Sequence, residues 1–395
     1  MVHSADQQRS DSEPGNVARG SHTDTCAPAG EGGRNALELL RVAAIGLLVL
    51  YHVACLPQAP PLGILSKLFS LVARTGFVGT DLLLALAGFL AVGSRGRASG
   101  AVAWLVRRWW RVFPPLAIFL LGYLYLLPYL LTASGVNPTS LPNFGDLSRA
   151  RAVQWTMWSF TSNFLMVAGE RMGAALEPLL TLGLGAQLTI LIAFLLPLPR
   201  RVYLGTGVVV FLGFVLRLYW VKSDAYVPYS FPLTRGDGFF LGATFALLLR
   251  WQAARARLLA LRGRLLLVST ILLAALGVAT KGLQLTSPAM KILGYPAVSL
   301  WSATLVLWLS QISRCPSALR LLSLLGQGAY CAYLVKLPVC YLVSVFLLRV
   351  RMPGIPLFAL SSLCATALLG MAGHFLFERP FARIGALSRS ARRAP

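Results

Sequence analysis

The sequence predicts an all-α fold, a polytopic integral membrane helix bundle with about ten transmembrane helices. Of the 395 residues, 56% are hydrophobic and 12% charged, and the mean hydropathy of +0.69 excludes a soluble enzyme. Apolar runs of roughly 17 to 25 residues recur between Leu37 and Phe377, each long enough to cross a bilayer as a helix. Blocks such as 179–196 are apolar on every side, which excludes the alternating strands of a membrane barrel.

Ten spans follow from these runs. They are predicted at 37–57, 76–93, 112–131, 176–197, 202–220, 235–250, 264–282, 291–311, 322–348 and 356–378. The long connection at 132–175 contains a semi-apolar stretch, Trp155 to Val167. This stretch either lies in the membrane interface, dips into the protein or forms an eleventh crossing.

The positive charge is distributed as in a membrane protein. There are 36 Lys and Arg against 13 Asp and Glu, a net charge of +23. With a cytoplasmic N-terminus, the inner segments hold 22 of the Lys and Arg and the outer segments 10. This positive-inside bias predicts a multi-pass protein of the cell membrane with both termini cytoplasmic, embedded in the lipid bilayer and without a nucleic-acid partner.

The chain divides into one membrane domain and two tails. Residues 1–35 are polar and predict a disordered cytoplasmic tail, 36–385 form the membrane domain, and 386–395 form a short basic cytoplasmic tail. The N-terminus has no signal-peptide pattern, so the first apolar segment is expected to remain as an anchor. The six cysteines stand singly, which indicates neither a disulfide framework nor a metal site.

The first span contains Arg41 and His52. Eleven helical residues make about three turns and rise roughly 16 Å, so both side chains lie on one face at different depths. Histidine is suited to general-base catalysis and arginine to phosphate binding. The alternative is an Arg that extends to the interface and a His that packs between helices.

Asp81 in the second span is expected at the same depth as His52, where its carboxylate would orient the imidazole. Pairing with Arg74 or with a backbone amide is the structural alternative.

Near the inner interface, Arg107, Arg108 and Arg111 alternate with tryptophans. Guanidinium forks suit a phosphorylated ligand, although basic and aromatic residues are also typical of the interface itself.

Five sequence blocks together resemble the membrane-bound acyltransferase 3 family over nearly all of residues 35–385. They are Arg41 and His52 with ten residues between them, Gly79-Thr-Asp81 to Leu90, Arg107-Arg108-Trp-Trp-Arg111-Val-Phe-Pro114, Thr234-Arg235-Gly-Asp237 to Ala243, and Phe377-Glu378-Arg379-Pro380-Phe381. The resemblance implies acyl-CoA, most simply acetyl-CoA, as co-substrate, and a hydroxyl on a carbohydrate or glycosylated natural product as acceptor. It implies His52 and Asp81 as catalytic residues and Arg41, Arg108 and Arg111 as the acyl-CoA phosphate site.

Two positions depart from the family pattern. Gly185 stands where the family has an acidic residue, and Lys336 stands where it commonly has a His in Tyr-Leu-Trp-His-x-Pro. A lysine within a span requires a partner or a wet cavity. Lys336 is therefore expected to bind the acceptor. Arg235 and Asp237, at the end of the predicted span 235–250, are expected to bind it as well. An ion pair formed by Arg235 and Asp237 is the alternative.

The departures also leave a second function class open, a catalytically degenerate relative that acts as a transporter or scaffold. The sequence does not show the broken helices, repeated in two halves, that inverted-repeat transporters have. An acylated His52 carrier is a further mechanistic alternative to direct transfer. His374 and Glu378 are interpreted as packing and structural residues.

Overall fold

The computed structural model of the chain describes residues 30–55, 73–94, 100–135, 137, 147–170, 174–223, 226–280, 283–284, 287–349 and 355–383. Its α-helices, in chain order, are α1 (Glu31–Cys55), α2 (Val78–Ser94), α3 (Ala101–Leu121), α4 (Leu127–Ala133), α5 (Leu147–Ala152), α6 (Gln154–Trp158), α7 (Ser162–Val167), α8 (Pro178–Leu195), α9 (Pro199–Tyr219), α10 (Tyr226–Ser230), α11 (Pro232–Arg235), α12 (Asp237–Leu248), α13 (Gln252–Ala279), α14 (Tyr295–Ser310), α15 (Ser317–Leu325), α16 (Ala329–Arg349) and α17 (Ile355–Gly373). Short 3₁₀ or π turns extend or join several of them, at Thr75–Phe77, Gly122–Leu126, Ala174–Leu176, Met290–Gly294, Gly326–Gly328 and His374–Glu378.

The predicted polytopic helical bundle is confirmed. Nine helical segments of the described chain are long and apolar enough to cross a membrane: Glu31–Cys55, Thr75–Ser94, Ala101–Ala133, Pro178–Leu195, Pro199–Tyr219, Gln252–Ala279, Met290–Ser310, Ser317–Leu347 and Pro356–Arg383. Proline stands at the first position of α8 and α9, where its missing N–H would have no partner in any case. Eight of the ten predicted spans overlap these segments almost completely, and a ninth, 112–131, lies inside Ala101–Ala133.

The remaining predicted span, 235–250, is shorter than expected. It corresponds to α12, whose 12 residues rise roughly 18 Å, well under the roughly 30 Å of a bilayer core. Phe239 and Phe240 are fully buried, because other helices surround α12. A helix enclosed by protein does not have to match the bilayer thickness. Its continuous apolar sequence therefore reflects burial within the bundle.

The core forms where α12 packs against α2. A Cβ atom at Gly88 of α2 would collide with the carbonyl oxygen of Phe239, and one at Gly242 of α12 would collide with that of Ala85. The two glycines therefore allow a reciprocal close approach of the two backbones, as small residues do between membrane helices. The resulting core also includes side chains of α1, α8, α9 and α14.

Several helices begin earlier than hydropathy predicted. α1 begins at Glu31, so residues 31–35 of the predicted disordered tail are helical. α3 begins at Ala101 and α13 at Gln252, inside the predicted loops 94–111 and 250–264. Polar residues can continue an apolar helix into water, which a hydropathy window does not detect. Residues 1–29 and 386–395 of the predicted tails lie outside the described residues.

The stretch Trp155–Val167 is not an eleventh crossing. It folds into the short helices α6 and α7, joined at Phe160, whose φ is +57°. The hydroxyl of Ser162 donates to the carbonyl of Leu179 at 3.1 Å, and Asn163 is fully buried. Part of the stretch is thus buried in the protein, while Trp155 and Phe164 remain 64% and 43% exposed.

Candidate active site

Three arginines gather at one end of the bundle, here called the arginine end and defined by Arg41, Arg108 and Arg111. Arg108 on α3 lies within electrostatic reach of both Arg41 on α1 and Arg111 one turn further along α3. Its guanidinium carbon is 5.5 Å from the centre of the Trp104 ring. The structure thus brings together the three arginines predicted to bind phosphate.

Two carboxylates form ion pairs with two of these arginines, Arg41 and Arg111. Arg41 Nη1 lies 2.5 and 2.6 Å from the two carboxylate oxygens of Glu38, one turn earlier on α1. Arg111 Nε lies 2.7 Å from Oε1 of Glu378, a carboxylate that is only 1% exposed. Three guanidinium groups against two carboxylates leave a net positive charge, which favours binding of a polyanion.

His52 lies in the last turn of α1, 11 residues beyond Arg41, and is 8% exposed. Because α1 begins six residues earlier than predicted, Arg41 lies in the middle of the helix rather than near its start. His52 faces α16, where Lys336 is within electrostatic reach of the imidazole. The Tyr51 ring meets the His52 ring edge-on, with 5.3 Å between centres.

The expected match in depth between Asp81 and His52 is wrong. A Cβ at Gly76 would meet the backbone of α1 at Leu47, and one at Gly79 would meet it at Ala44. Since α2 runs antiparallel to α1, Asp81, two residues beyond Gly79, lies past the level of Ala44 and more than two helical turns from His52. Asp81 and His52 share no hydrogen bond in the described part of the chain.

Asp81 is paired with Arg235 instead. Arg235 Nη2 donates to Oδ2 of Asp81 at 3.0 Å, and each side chain is 1% exposed. The rings of Tyr229 and Tyr295 flank the guanidinium, with centres 4.5 and 4.6 Å from Cζ. The expected alternative partner, Arg74, is not the partner found.

A second buried pair lies beside the first. Arg217 Nη2 is 2.5 Å from Oδ2 of Asp237, and Arg217 Nε donates to the carbonyl of Thr234 at 3.0 Å. Arg235 and Asp237 are therefore both in ion pairs, but with partners on α2 and α9 rather than with each other. Arg217 was missed in the sequence. Its signal was its position inside the predicted span 202–220, in the last turn of the helix, where a buried charged side chain requires a partner.

A carboxylate approaches the end of α1 that carries His52: Glu177, the residue before α8. Glu177 is half-buried and interacts electrostatically with Lys336 and with Cys55, which is three residues beyond His52 on α1. Burial raises the pKa of the Glu177 carboxyl, and the Lys336 ammonium partly opposes that change. Lys336 is 2% exposed, with Nζ 4.0 Å from the centre of the Tyr333 ring. Lys336 interacts electrostatically with both Glu177 and His52, and these three side chains are here called the histidine cluster.

The sequence that forms these helices and charged clusters matches a known protein family. The acyltransferase domain family Acyl_transf_3 matches residues 34–373, which is most of the chain. The chain belongs to the acyltransferase 3 family. No curated protein and no solved structure is significantly similar to it. Membership supports an acyltransferase activity for this membrane-spanning helical bundle.

The two departures from the acyltransferase 3 pattern meet different surroundings. Gly185 on α8 has open surroundings, because a Cβ there would have only Leu84 Cδ2 within 4 Å, at 3.9 Å. Lys336 is enclosed and has the carboxylate of Glu177 as its charged neighbour. The family's acidic position is occupied by Gly185, whereas the acid that interacts with Lys336, Glu177, lies eight residues earlier in the chain. The only sequence feature that could have indicated a role for Glu177 is that it is the one acidic residue beside the start of α8.

Proposed function

We propose that this acyltransferase moves an acyl group, most simply acetyl, from acyl-CoA to a hydroxyl of a carbohydrate or glycosylated natural product. The observation that carries the proposal is the position of Arg41 and His52 on one face of α1, with Arg108 beside Arg41. The two residues are separated by roughly 16 Å along the helix. A cluster of guanidinium groups and a buried imidazole are thereby linked by one rigid element.

On the donor side, the arginine end would bind the phosphates of acyl-CoA. Guanidinium groups donate paired hydrogen bonds to phosphate oxygens, and Glu38 and Glu378 hold Arg41 and Arg111 in place. The long pantetheine arm would then run along α1 towards His52. Binding energy at the phosphates would position the thioester at the reacting centre, which is a large source of rate enhancement.

At the reacting centre, the neutral imidazole of His52 would accept the proton of the acceptor hydroxyl. The hydroxyl oxygen attacks the thioester carbonyl, the carbon–sulfur bond breaks, and the CoA thiolate leaves and takes up the proton that His52 accepted. The Lys336 ammonium, which lies beside Tyr333 and Glu177, would stabilise negative charge in this region. Asp81 supports the site from a distance, by fixing Arg235 and thereby the packing of α2.

Acceptor binding is proposed at the histidine cluster. Arg235 and Asp237, expected to bind acceptor, are each engaged in a buried ion pair. The same pairing weakens the transporter alternative, because these charges neutralise one another instead of lining a path. We further propose that the enzyme lies in the cell membrane with both termini cytoplasmic, because Lys and Arg are concentrated in the segments on that side.

The test is release of free thiol from acetyl-CoA by the purified protein in lipid discs, with a panel of hydroxylated sugars and glycosylated metabolites. His52→Ala is expected to lower kcat at least about a hundredfold, the usual contribution of a general base. Arg41→Ala is expected chiefly to raise the KM for acetyl-CoA, by about tenfold. Arg257→Ala, an exposed arginine on α13, is the matched control. A wild-type protein that neither binds acyl-CoA nor releases thiol would refute the proposal.

A further inference from the structure

A basic pocket lies beside the arginine end, where the last helix meets α3. It has a volume of about 290 Å³ and is lined by Arg111, His374, Glu378, Arg379, Ala382 and Arg383. Three guanidinium groups face one carboxylate there, so the lining carries a net positive charge even with a neutral His374. The volume is at the lower end of the range for small-ligand sites. These properties suit a compact anion.

The buried Glu378 organises the pocket. One of its carboxylate oxygens accepts a hydrogen bond from Arg111 Nε at 2.7 Å, and the other lies 3.0 Å from Nδ1 of His374. Both oxygens are thus occupied, and the carboxylate is itself 1% exposed. Arg111 is held through Nε while its side chain remains 52% exposed, which leaves its two terminal nitrogens free for an anion. A guanidinium fixed in this way loses little entropy on binding.

Arg379 and Arg383 complete the pocket. They are four residues apart on the helical extension of α17, so their side chains lie on one face. Neither forms an ion pair with any described residue. The guanidinium of Arg379 lies 5.9 Å from the Phe375 ring, a contact that leaves its hydrogen-bond donors available. The π turn at His374–Glu378 immediately precedes them, and such turns are frequent at functional sites.

The pocket adjoins the arginine end. Arg111 lines it and lies within electrostatic reach of Arg108, which in turn lies within electrostatic reach of Arg41 on α1. A ligand with phosphates at one end and a long thin arm can engage the pocket and the arginine end together, whereas the acyl chains of a lipid would have to turn outwards from this site. We propose that the pocket binds a phosphate group at the nucleotide end of acyl-CoA, with Arg379 and Arg383 as binding residues. This inference rests on the proposed function.

The experiment compares affinities of the full-length protein in discs of phosphatidylcholine. The probes are acetyl-CoA and S-acetylpantetheine, which has the same thioester arm but lacks the nucleotide and its phosphates. The variants are Arg379→Gln, Arg383→Gln and the double variant, with Arg257→Gln on α13 as control and the thermal midpoint as a check on folding. Each single variant is expected to weaken acetyl-CoA about tenfold, the effect of one charge-assisted hydrogen bond. S-acetylpantetheine affinity is expected to be the same in all proteins.

The outcomes separate this inference from the proposed function. If the wild type binds acetyl-CoA and the double variant binds it equally well, the pocket assignment is wrong while the acyltransferase proposal stands. If the wild type does not bind acetyl-CoA, both fail. A second arm adds phosphatidylglycerol to the discs and counts lipids retained by the protein. Loss of retained phosphatidylglycerol in the double variant, with unchanged acetyl-CoA affinity, would assign the pocket to a lipid headgroup and overturn the proposal.

Discussion

Arg235 and Asp81 form an ion pair that joins α11 to α2, with 3.0 Å between Nη2 and Oδ2 and with both side chains 1% exposed. A second pair, Arg217 with Asp237, lies within electrostatic reach of Asp81. The four charges cancel, which reduces the cost of burying them. The remaining oxygen of each Asp and one terminal nitrogen of each Arg have no hydrogen-bond partner among the described residues. The network is therefore sensitive to the loss of any member.

Removing one partner of the Asp81–Arg235 pair should destabilise the protein strongly. Asp81→Ala leaves a buried guanidinium uncompensated, for which we expect a loss of about 3–5 kcal/mol. The double variant Asp81→Leu with Arg235→Met should recover most of that loss, because apolar side chains replace both charges. The thermal midpoint in detergent measures both effects. Glu170→Gln is the control, since it breaks an ion pair whose side chains are about half exposed and should change stability by under about 1 kcal/mol. Equal midpoints for Asp81→Ala and the double variant would contradict this account.

The contact between α2 and α12 should not tolerate a methyl group. Gly88→Ala and Gly242→Ala each place a Cβ against a backbone carbonyl of the other helix, and overpacking of this kind costs about 1–3 kcal/mol. Gly207→Ala on α9 is the matched control, because no atom lies within 4 Å of its Cβ position and alanine favours helix formation. Thermal midpoints should fall for the first two variants and stay constant or rise for the third. A fall in all three would show that the close approach is not the cause.

Substitutions of Glu177 and Lys336 should have non-additive effects on kcat, because the two side chains interact. Lys336→Met and Glu177→Gln should each lower kcat about tenfold or more. Because each removes the other's partner, the double variant should be no worse than the poorer single variant, with a coupling energy of about 1–3 kcal/mol. Lys336→His, which restores the residue common in the family, should retain more activity than Lys336→Met. The measurement is a double-mutant cycle on thiol release with an acceptor that supports turnover, and additive effects would count against this interaction.

Stability should depend on pH through Glu177. Burial raises the pKa of its carboxyl in the folded protein, so the folded state binds this proton more tightly than the unfolded chain. The stabilisation from the protonated carboxyl is present below the ordinary glutamate pKa of about 4.3 and is lost as the pH rises through the raised pKa. The thermal midpoint of the wild type should therefore fall relative to that of Glu177→Gln over this interval. A constant difference between the two proteins across the same interval would rule out the raised pKa.

Hydropathy was sufficient to identify the class of protein and the place of nearly every long helix. An apolar run of about 20 residues has few alternatives to a membrane helix, because every backbone polar group must be satisfied within the segment. Helix geometry was likewise sufficient for the relation between Arg41 and His52, since residues on one helix keep their spacing in any tertiary context. The grouping of Arg41, Arg108 and Arg111 was expected because all three lie beside the same ends of the spans predicted from hydropathy, 37–57 and 112–131.

Relations between helices were decided only by the tertiary structure. The depth of Asp81 was predicted from its distance to a helix end, but Gly76 in the turn before α2 and Gly79 in α2 bring this segment against α1 at Leu47 and Ala44, away from His52. The partners of Asp81 and Asp237 lie 154 and 20 residues away in the chain, and no local pattern selects them. Glu177 reaches Lys336 only because the segment before α8 packs against α16. Such pairings depend on shape complementarity between whole helices, which a single sequence does not encode locally.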